Sequence, residues 1–106
     1  MKFVNYVKYN PGKVAALRPA HRQYAARLMS EGKLVTAGPF SDGNGSLFIY
    51  ETATLAEAEE LVKDDPYRAG GAIASYQISA WEMISVNIEL MRWRTSESGQ
   101  AEGQRS

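Results

Sequence analysis

The stretch Leu34-Val35-Thr36-Ala37-Gly38-Pro39-Phe40-Ser41-Asp42-Gly43-Asn44-Gly45-Ser46-Leu47-Phe48-Ile49-Tyr50-Glu51 decides the fold. Residues 34–39 and 46–51 are short runs rich in β-branched, aromatic and aliphatic side chains, the composition that fits a pleated surface. Between them, Asp42, Gly43, Asn44 and Gly45 supply the small and turn-forming residues that reverse a chain. Two strands therefore follow one another directly, and the elements on either side determine what sheet they join.

Upstream, residues 3–9 are again β-branched and aromatic and stop at the turn cluster Asn10-Pro11-Gly12, which predicts a first strand. Pro19 reads as a first-turn residue, so the helix is expected over residues 19–31. Gly32 closes it, and Tyr24, Ala25, Leu28 and Met29 form its buried stripe. Downstream, Thr54-Leu55-Ala56-Glu57 has the form of a capping box, and Glu57, Glu59 and Glu60 lie near the positive end of the helix dipole. This predicts a helix over residues 55–64, ended by Asp65-Pro66-Tyr67 because the residue before proline is pushed out of the α region. Gly70-Gly71 loosens the loop, and residues 73–84 read as a fourth strand. The order strand, helix, strand, strand, helix, strand is the ferredoxin-like α+β arrangement, a four-stranded antiparallel sheet with both helices on one face.

The strands do not alternate as a sheet with one wet face should. Leu47 and Ile49 lie on one face and Phe48 and Tyr50 on the other; Val4 and Tyr6 likewise oppose Phe3 and Val7. Something is expected to cover the second face, most simply another copy of the same sheet. Residues 1–84 thus make one domain. Residues 85–94 are an extra element in which Val86, Ile88 and Leu90 alternate before Met91 and Trp93, suggesting an added strand or a short helix at a dimer interface. Residues 95–106 are small, polar and without apolar anchors, the composition of a disordered tail.

A chain of 106 residues has room for one such domain and one site. Its 12 basic and 12 acidic residues give no net charge, and no basic run argues for nucleic acid. Residues 1–40 nonetheless carry seven Lys and Arg against Glu31 alone; a solvated helix face accounts for most of this and an anion-attracting pocket for less. The chain has no cysteine, which excludes thiolate chemistry and disulfides. There is no apolar run of ~18 residues and no secretory signal pattern, so no membrane partner and a cytoplasmic location are expected.

His21 is the single histidine and the only side chain whose ordinary pKa lies near neutrality. Placed near a helix start, it shares a face with Tyr24, Ala25 and Leu28 and points toward apolar packing. Asp65, at a helix end where the dipole opposes a carboxylate, needs a donor, and His21 is a candidate. A carboxylate on one ring nitrogen would orient the imidazole as a base at the other; the same bond would equally serve to close a helix–loop junction. Arg18 is either an anion clamp or a surface residue. Gly38, Pro39 and Phe40 end the second strand, either to permit close approach of a ligand or simply to bend the edge. Tyr6, Phe40, Tyr67 and Trp81 either line a pocket for a planar ring or belong to the core. No phosphate loop and no metal-ligand spacing is present, and neither a metal nor a cofactor is expected.

The blocks Arg18-Pro19-Ala20-His21, Gly32 through Phe40, Asp65-Pro66-Tyr67, and Tyr76-Gln77-Ile78 with Trp81 resemble the YciI (YCII-related) family in their order and spacing. The resemblance spans residues 3–82 and implies a dimeric α+β barrel of ferredoxin-like protomers. It also implies a pocket with a paired histidine and aspartate, here His21 and Asp65. Relatives include a dehydrochlorinase acting on a chlorinated hydroxyhydroquinone, and the wider barrel group includes muconolactone isomerase. The resemblance therefore implies proton transfer, as isomerisation or elimination, on a small cyclic carbonyl or phenolic compound. Family members commonly stop near Glu82, so nothing carries over to the residues beyond. The rival expectations are a non-catalytic ligand-binding or interaction module and, from the wider group, a heme enzyme with His21 as axial ligand.

Overall fold

The computed structural model describes residues 1–91. The elements are β1 (Lys2–Tyr9), α1 (Val14–Ser30), β2 (Leu34–Pro39), β3 (Gly45–Glu51), α2 (Leu55–Lys63), α3 (Pro66–Ala69) and β4 (Ile73–Trp81). The strands form one antiparallel sheet in the order β2-β3-β1-β4. This is the ferredoxin-like α+β fold that the hairpin and its flanks predict.

Directly opposed residues of antiparallel strands share a face, so the register sorts the sheet. Phe3, Asn5, Val7 and Tyr9 of β1 face the helices together with Ser46, Phe48 and Tyr50 of β3. Tyr24 and Leu28 of α1 and Ala58 and Val62 of α2 close the core over them. Each large side chain sealed there contributes about 2–3 kcal/mol. A smaller cluster of Val14, Tyr67 and Ala72 adjoins it, with Tyr9 and Ile73 touching both. The other face carries Val4, Tyr6 and Lys8 beside Leu47, Ile49 and Gln77.

Several boundaries differ from the sequence expectation. The first helix begins at Val14, preceded by a 3-10 turn at Pro11–Lys13, and Pro19 is its sixth residue instead of its first-turn residue. Pro19 and Ala15 are both exposed. Water can therefore serve the Ala15 carbonyl that a proline nitrogen leaves without its helical donor. The C-terminus of α1 is as expected: Gly32 takes φ +74°, its N–H bonds the Met29 carbonyl at 3.1 Å, and Lys33 N–H bonds that of Leu28 at 2.8 Å, which is a Schellman closure. Met29, expected in the buried stripe, is 47% exposed; Val14 and His21 take inward positions instead.

Thr54 caps α2 through the Glu57 N–H at 3.2 Å, but the Glu57 carboxylate returns to the threonine hydroxyl and not to its backbone. After α2 the chain forms the short helix α3, where a loop was expected. Strand β4 stops at Trp81, not at residue 84, because Trp81 is already opposite Lys2 and β1 offers no further partner. Residues 82–91 leave the sheet and end in a 3-10 turn at Ile88–Met91; Trp93 and the expected tail lie outside the described residues. Among the described residues no helix is long and apolar enough to cross a membrane.

Candidate active site

His21 is the eighth residue of α1, not a helix-start residue, and its seven-residue spacing from Val14 puts it on the inward face. It is 3% exposed. Its Nδ1 lies 2.9 Å from Oδ1 and 3.0 Å from Oδ2 of Asp65, which is equally buried.

The local sequence explains how Asp65 comes to be there. Pro66 demands an extended residue before it, and Asp65 complies with φ −67° and ψ 129°. In that conformation its side chain turns back over the first turn of α3, where Oδ1 accepts the Tyr67 N–H at 2.9 Å. The carboxylate is therefore not pressed against the negative end of α2, as the sequence suggests; it caps the start of the next helix. Tyr67 fixes both members of the pair. Its N–H holds the carboxylate, and its ring stacks on the imidazole at 4.0 Å and 9°. Phe48 meets the imidazole edge-on at 5.7 Å and 83°.

This geometry fits a neutral ring facing an ionised carboxylate. An ionised carboxylate only accepts hydrogen bonds, so Nδ1 carries the hydrogen that lies between the two Asp65 oxygens. Nε2 is left as the ring's acceptor. It has no hydrogen-bond partner, and among the described residues the polar side-chain atoms that are both unpartnered and sealed from solvent are Nδ2 and Oδ1 of Asn5. Nε2 thus retains contact with solvent. The space on the inner side of the ring, toward Leu28, Leu34 and Tyr50, is too tight for a water molecule.

Around the pair lies a partly polar interior. The Tyr9 ring packs on Tyr67 at 5.4 Å and 69°. Its hydroxyl bonds Ser46, and burial pushes that hydroxyl up to about 12. Burial also raises Tyr67, opposed by the nearby Arg18 guanidinium. Burial raises Tyr50 likewise, with Asn5 near enough to its hydroxyl to oppose this slightly, although no contact of Asn5 has good hydrogen-bond geometry.

Arg18, His21, Asp65 and Tyr67 are therefore brought together. Tyr6 and Phe40 meet each other, ring centres 5.0 Å apart, on the opposite face of the sheet. There they border a hollow of about 670 Å³ with Lys8 and Asn44. Gly38 lies opposite Leu47 and Pro39 opposite Ser46 as β2 runs toward that hollow. A Cβ on Gly38 would meet nothing within 4 Å, so no part of the chain requires glycine there. Trp81 is at the far end of the sheet, opposite Lys2. Tyr9 and Asn5 escape the sequence reading, although both share the odd-numbered positions of Phe3 and Val7 that face the helices. Among the described residues no group of three or more His, Asp and Glu side chains is placed to hold a metal ion.

The fold and its buried pair define a ferredoxin-like domain with one oriented histidine on the helix side of the sheet. The YCII-related domain family matches residues 1–82, and the chain belongs to that family. The uncharacterized protein YjpA of Bacillus subtilis (strain 168) is 34% identical over 76 residues, covering 72% of this chain and 84% of YjpA. Among solved structures, the 5-chloro-2-hydroxyhydroquinone dehydrochlorinase TftG of Burkholderia phenoliruptrix AC1100, in complex with 2,5-dihydroxybenzoquinone, superposes with a TM-score of 0.69. It is 26% identical, with 77% of this chain and 94% of that one covered. PA3566 from Pseudomonas aeruginosa superposes with a TM-score of 0.55 at 13% identity, covering 79% and 93%, and bears on the fold alone.

Proposed function

We propose that this protein is a small-molecule enzyme in which His21 moves a proton to or from a small cyclic carbonyl or phenolic compound, and that it works as a cytoplasmic homodimer. The observation that carries the reading is the grip of both Asp65 oxygens on Nδ1, which leaves Nε2 as the basic nitrogen. In an elimination, Nε2 accepts the proton while the leaving group departs with the bonding pair; in an isomerisation the same nitrogen returns the proton at another atom. Asp65 favours the imidazolium formed in either case and holds the ring in one orientation. Arg18, near enough to Tyr67 to act on its hydroxyl, attracts an enolate or phenolate in this reading. Likeness to a dehydrochlorinase solved with a dihydroxybenzoquinone supports the substrate class. The dimer rests on the apolar residues of the open sheet face, among them Leu47, Ile49 and the 46% exposed Tyr6.

A second reading is favoured by the depth of His21. At 3% exposure the pair also serves as a lock between α1 and α3, with no chemistry at all. The two readings separate on incubation with 5-chloro-2-hydroxyhydroquinone and with unsaturated lactones as probes, reading chloride release and product mass. Turnover by the native chain, reduced about 10²- to 10⁴-fold in a folded His21→Gln variant, is the expected result. Undiminished turnover in His21→Gln, or binding without product in the native chain, leaves the lock.

A further inference from the structure

We propose that residues 83–91 form an arm that clasps a second copy of this chain, so that Ile84 and Ile88 of each copy enter a hollow on the other. This rests on the dimer reading above and goes beyond the family domain, which ends at residue 82.

The arm is apolar out of proportion to its surroundings. Within nine residues it carries Met83, Ile84, Val86, Ile88, Leu90 and Met91, and they are 41–89% exposed, with Ile84 at 89% and Ile88 at 69%. Leaving the end of β4, it lines one hollow with Val35 and Thr36 of β2 and Ile49 of β3. With Trp81 these residues enclose a mostly apolar space of about 320 Å³, bordered on the arm's side by Val86 and Leu90. The protomer thus bears both projecting aliphatic side chains and an unfilled apolar hollow on one face. A two-fold axis satisfies both at once, since whatever one copy inserts the other receives.

The size of the sheet argues the same way. Four strands of six to nine residues present a face of roughly 20 by 25 Å, or about 500 Å². Much of that face is polar, with Lys2, Lys8, Glu51, Gln77 and Ser79 in its rows. A standard-size stable interface removes about 800 Å² from each partner, so this flat face leaves room for further apolar area in the interface. The exposed arm, continuous with that face, adds such area.

The chain's lack of cysteine makes the test clean. Two single variants of the full chain, Ile88→Cys and Val35→Cys, are mixed under mild oxidation. A disulfide between them can arise only if the arm of one copy reaches the hollow of the other; Ala26→Cys, on the exposed side of α1, is the control partner. In parallel, sedimentation measures dimer dissociation for the native chain and for Ile84→Ser/Ile88→Ser. Selective cross-linking and a dissociation constant raised about 100-fold or more support the arm. A native dimer with no cross-link and unchanged dissociation in the double variant overturns the arm and leaves the dimer standing. A native chain that is monomeric at all concentrations overturns both.

Discussion

At the scale of single residues, the centre of the molecule is a histidine whose freedom has been removed from three sides. Asp65 holds Nδ1, Tyr67 stacks on one face of the ring, and Phe48 meets it edge-on. Because Asp65 also caps α3, its substitutions should divide by size of effect. Asp65→Ala removes both the histidine's partner and the cap and should lower stability by about 3 kcal/mol in urea denaturation. Asp65→Asn keeps an oxygen for the cap and should cost less than half of that, while reducing turnover with any substrate found for the native chain. His21 is legible in the sequence as the sole histidine, and Asp65 as a carboxylate in need of a donor, but with 44 residues between them the residues alone make the pairing one candidate, which the family resemblance singles out. Asn5 and Tyr9 were hidden because a polar or amphipathic residue in a strand gives no sign of which face it takes until the register is known. Arg18 reads in the sequence as either surface or site, and its nearness to Tyr67 shows only in the fold.

At the scale of elements, the hairpin of β2 and β3, the closure of α1 at Gly32 and the cap at Thr54 were all readable, because each is dictated by residues within a turn of one another. The start of α1 was not. Proline is commonest in a helix's first turn, and that preference pointed to Pro19 while the chain used Pro11 to open the preceding 3-10 turn. Pro19→Ala should therefore restore a hydrogen bond to the Ala15 carbonyl and raise stability by about 1–2 kcal/mol, less whatever the freer unfolded chain takes back. A fall in melting temperature would mean that Pro19 sits at a helix start after all. The early end of β4 was equally beyond local reading, because a strand's length is set by the strand it pairs with, and β1 runs out at Lys2.

At the scale of the whole molecule, the N-terminal end of the sheet is tied by charge. Lys2 Nζ and the Met1 amino group bond the Glu51 carboxylate at 2.8 and 2.7 Å. The lysine bond, then that of the amino group, lowers its pKa from 4.5 to about 2. A depressed carboxylate contributes stability that is complete above the unfolded value and is lost as pH falls through the folded one. The gap in stability between the native chain and Glu51→Gln should therefore be constant between about pH 5 and 7 and close between 4.5 and about 2, as followed by thermal unfolding across that range. A gap that persists undiminished at pH 2 would mean the tie is not made in solution. The same scale contains the open sheet face, whose apolar residues were visible in the failed alternation of β1 and β3 and whose covering is the dimer proposed above.

The measurement that bears most directly on the proton-transfer reading is the ¹⁵N spectrum of the imidazole in the native chain, where a lone histidine leaves no ambiguity of assignment. In the neutral ring the proton should reside on Nδ1, with Nε2 showing the shift of an unprotonated nitrogen, and Asp65→Asn should abolish that preference. A ring protonated on Nε2 in the native chain would put the base on the wrong side of the imidazole, and the His21–Asp65 pair would then be a structural tie alone.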